Sequence, residues 1–168
     1  VNDSTAIGFN SLGAFTGSSA TAIGSYAADA ATSATNLTAV GYYALSACTE
    51  GLGNTAVGAS AGSSITTGDY CTFLGYGAGI QTTGQRNTFV GTYAGVYATT
   101  TDDCIAIGYS ALIAADSAGD NSDNATGNAN IAIGNYALDA TTSGPSNVAI
   151  GHQAGTAITS AGYSILLG

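Results

Sequence analysis

The sequence predicts an all-β fold, a parallel β-solenoid or β-roll of about ten coils, and three observations carry that prediction. The first is a period. Glycines that follow a small-then-branched pair recur at Gly8, Gly24, Gly41, Gly58, Gly75, Gly91, Gly108, Gly134, Gly151 and Gly168, at intervals of 16, 17, 17, 17, 16, 17, 26, 17 and 17 residues. The second is the residue before each anchor: Ile7, Ile23, Val40, Val57, Leu74, Val90, Ile107, Ile133, Ile150 and Leu167 are all β-branched or leucine. The third is what is missing. The units hold almost no Glu, Lys, Arg or Met, and their interior glycines oppose a helix.

Each unit divides in the same order. A short strand of three to five residues leads to a bend at the anchor glycine, and a second short stretch follows. Turns rich in Thr, Ser and Gly, such as SITTGD (Ser64 to Asp69) and IQTTGQ (Ile80 to Gln85), close the unit. Three positions after the anchor stands Ala27, Ala44, Ala61, Ala78, Ala94, Ala111, Ala137 or Ala154, with Ser11 in the first unit. One such unit cannot bury a core. Stacked units can, each side chain forming a column with its equivalents, with coils about 4.8 Å apart and a rod of roughly 45 Å. Residues 1–168 read as one repeat domain, and the unit at 109–133 carries an inserted acidic and polar loop.

Strand alternation divides the apolar residues between two faces. Val57 and its equivalents are expected inside the coil. Ala22, Ala39, Ala56, Phe73, Phe89, Ala106, Ala132 and Ala149 then form an outward column, and an exposed apolar column along a rod calls for a partner. The simplest partner is another copy of the chain, because small side chains can approach a symmetry axis. A homotrimer is the expected assembly.

Composition excludes several classes. One arginine, Arg86, stands against ten acidic residues, for a net charge of −9. That argues against nucleic acid and against an anionic membrane surface. No apolar run is long enough to span a membrane. Both ends fall inside repeat units, which suggests a fragment or a processed product. Cys48, Cys71 and Cys104 have neither disulfide-framework nor metal-site spacing and read as buried small apolar residues.

Segments TAIGSYA (Thr21 to Ala27), NTAVGASAG (Asn54 to Gly62), NTFVGTYAG (Asn87 to Gly95) and NVAIGHQAG (Asn147 to Gly155) resemble the repeats of phage tail-fibre and other virion fibre proteins, cyanophage ones included, and the heads of trimeric autotransporter adhesins. The resemblance covers essentially all ten units. It implies a left-handed parallel β-roll, an intertwined or side-by-side homotrimer, and a virion location with other fibre or tail proteins as neighbours. Contact with a host surface glycan or receptor is part of the same expectation. A bacterial cell-surface adhesin and an extracellular self-assembling filament are the alternatives. The typical adhesin unit is shorter than the 16 or 17 residues found here.

Catalysis has little material. His152 is the only histidine, at a position held elsewhere by Ser25, Tyr42, Ala59, Tyr76, Thr92, Tyr109 or Asn135, and it reads as a rim residue. Asp102 and Asp103 are adjacent and diverge in an extended chain, so a solvated turn is expected rather than an acid–base pair. A glycan-active fibre enzyme would need paired carboxylates beside the tyrosines. Asp116, Asp120 and Asp123 place three carboxylates in the inserted loop, the one candidate for bound calcium. Otherwise no cofactor is expected. Tyr26, Tyr43, Tyr76, Tyr93, Tyr109 and Tyr136 flank the anchors and are candidate glycan contacts, or structural packing on a β-surface. The pairs Thr66–Thr67, Thr82–Thr83, Thr99–Thr100 and Thr141–Thr142 read as turn residues bonding their own backbone rather than as an ice-binding face.

Overall fold

The computed structural model describes residues 3–113 and 126–168. The expected solenoid is present. Ten three-residue strands, β1 (Thr5–Ile7), β2 (Thr21–Ile23), β3 (Thr38–Val40), β4 (Thr55–Val57), β5 (Thr72–Leu74), β6 (Thr88–Val90), β7 (Ile105–Ile107), β8 (Ile131–Ile133), β9 (Val148–Ile150) and β10 (Ile165–Leu167), form one sheet in sequence order. Every pairing is parallel and joins equivalent residues, as in Thr38↔Thr55, Ala39↔Ala56 and Val40↔Val57. The longer interval does not disturb the ladder, because Ile105 pairs directly with Ile131.

Register is held on more than one side of the coil. Along the strands, the anchor amide donates to the coil before it, as Gly41 N does to Ile23 O at 2.8 Å. On a second side, Ala28 N donates to Ala44 O at 2.9 Å and Leu45 N to Ala61 O at 3.0 Å. Glycine is required at the anchors for two reasons. Their φ values lie near +133°, where L side chains are strained, and a Cβ on Gly41 would stand 2.5 Å from the carbonyl oxygen of Gly58.

The faces are the reverse of the sequence expectation. Ala22, Ala39, Ala56, Phe73, Phe89, Ala106, Ala132 and Ala149 are all fully buried inside the coil, so this column cannot form a subunit interface. Ile23, Leu74, Ile107 and Ile150 point outward and remain 38–46% exposed. The Ala column packs in one interior with the +3 alanines and the residue four places after the anchor, and where small residues meet, as at Ala56 and Gly62, the ring of Phe73 and the Leu45 side chain of the neighbouring coils reach into the space. Ala39, Ala106 and Ala132 go with Leu45, Leu112 and Leu138, whereas Phe73 and Phe89 go with Gly79 and Gly95. A Cβ on Gly95 would lie 2.3 Å from the Phe89 ring, and one on Gly79 would lie 2.3 Å from Phe73. The phenyl ring occupies the space that leucine fills elsewhere. Leu12, Leu45, Leu112 and Leu138 adopt φ near +50°, so the position accepts leucine despite its left-handed backbone.

Replacing Phe89→Ala should therefore cost about 3–5 kcal/mol of stability by leaving a cavity. Adding Gly95→Leu in the same chain should recover most of that loss, by rebuilding the Ala–Leu pairing of neighbouring coils. Chemical denaturation of the two variants checks both statements.

Candidate functional site

The candidate site is the surface that repetition creates, so it is built column by column. Three residues precede each anchor. The middle one points inward, and the flanking two point out. The outer strand column nearest the anchor is aliphatic throughout. Its companion is Thr5, Thr21, Thr38, Thr55, Thr72 and Thr88 in β1–β6, then Ile105, Ile131, Val148 and Ile165 in β7–β10. None of these strand residues is charged. The result is a neutral, β-branched strip along a chain that is otherwise acidic.

Beside this strip run the aromatic rings, in three separate groups. Phe9, Tyr26, Tyr42 and Tyr43 form the first, with Tyr26 and Tyr43 stacked at 4.9 Å and Tyr42 edge-on to Tyr43 at 4.4 Å. Tyr76 and Tyr93 meet edge-to-face at 5.3 Å. Tyr109 and Tyr136 do the same, and His152 lies 6.5 Å beyond. Ala59 and Ser60 separate the first group from the second. The hydrogen bond with Tyr76 raises the Tyr93 phenol, and desolvation followed by the Tyr109 hydrogen bond raises Tyr136. The rings thus pack on one another in clusters, as edge-to-face pairs do on β-surfaces.

The corner before the strand carries a feature that composition concealed. Asn54, Asn87, Asn130 and Asn147 are buried four residues before their anchors. Each bridges two coils with both ends of its amide. Asn54 Nδ2 donates to Gly68 O at 2.7 Å, and its Oδ1 accepts from Cys71 N at 2.8 Å. Asn87 bonds Thr101 O and Cys104 N in the same way. Cys71 and Cys104 occupy this same position, and their thiols reach the carbonyls of Gly84 and Gly127 at 3.5 Å. Cys48 lies in a different interior column, with Ile65 and Ala98. All three thiols are free and buried, as the sequence suggested. Burial raises each of them, Cys71 to about 11. The signal for this ladder was the shared spacing of Asn and Cys from the anchor glycine.

The threonine pairs also differ from expectation. Their hydroxyls bond across coils rather than within their own turn. Among the pair members, Thr83 Oγ1 donates to Thr99 O at 2.8 Å and Thr142 Oγ1 to Thr159 O at 3.2 Å, and outside the pairs Thr32 and Thr49 do the same to Thr49 O and Thr66 O. Thr82 and Thr141 are buried and also reach the next coil, donating to Gly95 O at 3.3 Å and Ile158 O at 3.0 Å. Asp102 and Asp103 do not diverge as expected: both carboxylates face Arg86, with Asp102 Oδ2 at 3.9 Å from Nη2. Asp102 Oδ1 accepts from Gln85 N at 2.7 Å. Asp103 takes a bidentate pair from Arg86 at 2.6 and 2.9 Å, which holds its carboxyl below the ordinary range. The candidate calcium residues Asp116, Asp120 and Asp123 lie outside the described residues. Among the described residues, no three His, Cys, Asp or Glu side chains gather as a metal site would require.

Two outcomes follow from the interior ladder. Asn87→Ala should lose about 2–4 kcal/mol, because two buried backbone groups are left without partners. Chemical denaturation measures it. The Cys71 thiol lies above its ordinary value of 9.0 when folded, so its contribution is complete below pH 9 and is lost as pH rises towards about 11. The Cys71→Asn variant keeps the ladder without the thiol. Its stability should fall less steeply across that window, as paired melts at pH 8 and pH 10.5 would reveal (about the two sides of the transition).

Comparison of the chain with protein-family profiles, curated proteins and solved structures finds no match.

Proposed function

We propose that the chain is a structural module of an elongated fibre, associating side by side with copies of itself, and that a phage tail or virion fibre is its setting. It would project from the particle with other fibre proteins and carry a surface able to meet the host, without catalysing a reaction. The single observation behind this reading is the uncharged strip of β-branched and leucine side chains running along ten strands in register. A contiguous apolar strip on a soluble rod is unusual unless something covers it. A second copy fits best. Like-charged chains repel, and this strip is the face that lets two acidic rods approach without opposed carboxylates. The resemblance of the repeats to virion fibre proteins, shared with adhesin heads, is what favours the virion setting in this reading.

Three chains is the number the resemblance suggests, and the interface moves from the buried Ala/Phe column to the outward β-branched one. Native mass compared with denatured mass should give a ratio of three. Val57→Lys, at the middle of the outward strip, should release folded single chains, whereas Ala56→Lys should unfold the coil. Sedimentation together with circular dichroism reads both variants. A wild-type chain that stays single at all concentrations would sink the reading.

A further inference from the structure

The aromatic rings obey a rule that the repeat imposes. A ring one place after an anchor glycine meets a ring two places after the next anchor. Phe9 meets Tyr26 at 5.4 Å, Tyr76 meets Tyr93 at 5.3 Å and Tyr109 meets Tyr136 at 5.3 Å, all edge-on. In the last two contacts both rings are phenols, and a hydrogen bond joins their side chains. Because the ortho carbons flank the hydroxyl on each ring, that bond brings them towards the partner phenol. Tyr76 is 53% exposed and Tyr109 42%, so an oxidant in solution reaches both pairs.

Composition removes the competing targets. The chain has no Met and no Trp. Cys48, Cys71 and Cys104 are buried, and burial raises their thiols, which suppresses the reactive thiolate. Tyrosine is then the side chain that gives up an electron most readily. Loss of one electron and the hydroxyl proton leaves a phenoxyl radical, with part of its unpaired spin on the ortho carbons. Two such radicals held in contact join through one carbon–carbon bond between ortho carbons. Each joined carbon then loses its hydrogen as a proton while its oxygen regains one, which restores two phenols. In total, two phenols become one biphenol, two protons pass to water and two electrons pass to the oxidant.

We propose that Tyr76–Tyr93 and Tyr109–Tyr136 are oxidative cross-linking sites, at which a one-electron oxidant joins the two phenols carbon to carbon and staples consecutive coils covalently. The bond forms within one chain, so it stands apart from the reading that copies associate. One staple spans an ordinary coil, and the other spans the longest interval between anchors. Each restrains the unfolded chain as a disulfide would, the longer loop more than the shorter.

The test exposes the dilute folded chain to a photoexcited ruthenium complex, with persulfate as the final electron acceptor. Intact mass under denaturing conditions and peptide mapping identify the products. The expected product is a single chain lacking two hydrogens per bond, with the bonds mapped to these two pairs. Its denaturation midpoint should shift upward. Tyr76→Phe with Tyr109→Phe should abolish both bonds. The fold already takes phenylalanine at this place, since Phe9 meets Tyr26 in the same geometry, and circular dichroism checks that the variant is folded. Tyr70 and Tyr163 are exposed phenols without a ring contact among the described residues, so Tyr70→Phe with Tyr163→Phe should leave the yield unchanged. Chain unfolded in urea should lose the preference for the two pairs, and mapping separates their bonds from any within the Tyr26, Tyr42 and Tyr43 group. Products mainly between chains, an equal yield at the two pairs from unfolded chain, or oxygen added to the rings in place of the bond would each overturn the proposal.

Discussion

One constraint governs the molecule: each coil sits on its neighbour in register, so every residue touches the residue that repeats it. A position is therefore a column, and a column must tolerate copies of itself. Charge fails that condition, since like charges stacked about 4.8 Å apart repel. Charged residues make up 7% of the chain and stay out of the strands. Where two coils do bring charge together, the signs are opposite, as with Arg86 and Asp103. Alanine, threonine, asparagine and tyrosine pass the condition, each for its own reason. Alanine stacks without crowding, the turn threonines and the asparagines bond the coil ahead, and tyrosine packs ring on ring, stacked or edge-to-face.

The same constraint explains which parts of the fold were legible. Spacing is a property of the repeat, so the anchors gave the strand positions directly, and every strand ends on the residue before its anchor or, in β10, before Gly168. Inside and outside are properties of volume, and volume was misread. In Thr55–Ala56–Val57, the larger apolar residue looked like the core residue. The interior beside Ala56 is filled instead by Ala61 and by Leu45 and Phe73 of the neighbouring coils. The correcting signal lay in the sequence. Leu45, Leu112 and Leu138 accompany alanine, and the two phenylalanines are accompanied by Gly79 and Gly95, as expected of positions that share one interior.

Burial of polar groups was the second blind spot. Asparagine ordinarily belongs on surfaces and turns, so Asn54, Asn87, Asn130 and Asn147 drew no attention. In a stack, though, a corner that turns inward leaves one carbonyl and one amide per coil without a partner. An asparagine side chain supplies a donor and an acceptor at the right separation for both. Cysteine at Cys71 and Cys104 is a weaker substitute of similar size. The threonine ladder was missed for a related reason, because a pair of threonines read within one turn gives no hint of the coil ahead.

The inverted faces change what association would accomplish. Had the alanine column been outward, partner chains would have been completing a core that a single chain lacked. With that column buried, each rod fills its own interior, and the outward strip is left as a surface. A neutral strip of this kind is a hazard, because extended apolar β-surface invites indiscriminate pairing. The acidic residues bear on this. Glu50, Asp69, Asp102 and Asp103 lie outside the strands, at turns and corners, so an approach that leads with those parts brings like charges together. An approach strip to strip brings none. Were copies to associate, net charge would supply orientation and the strip the attraction, two tasks that fall to different columns of the same coil.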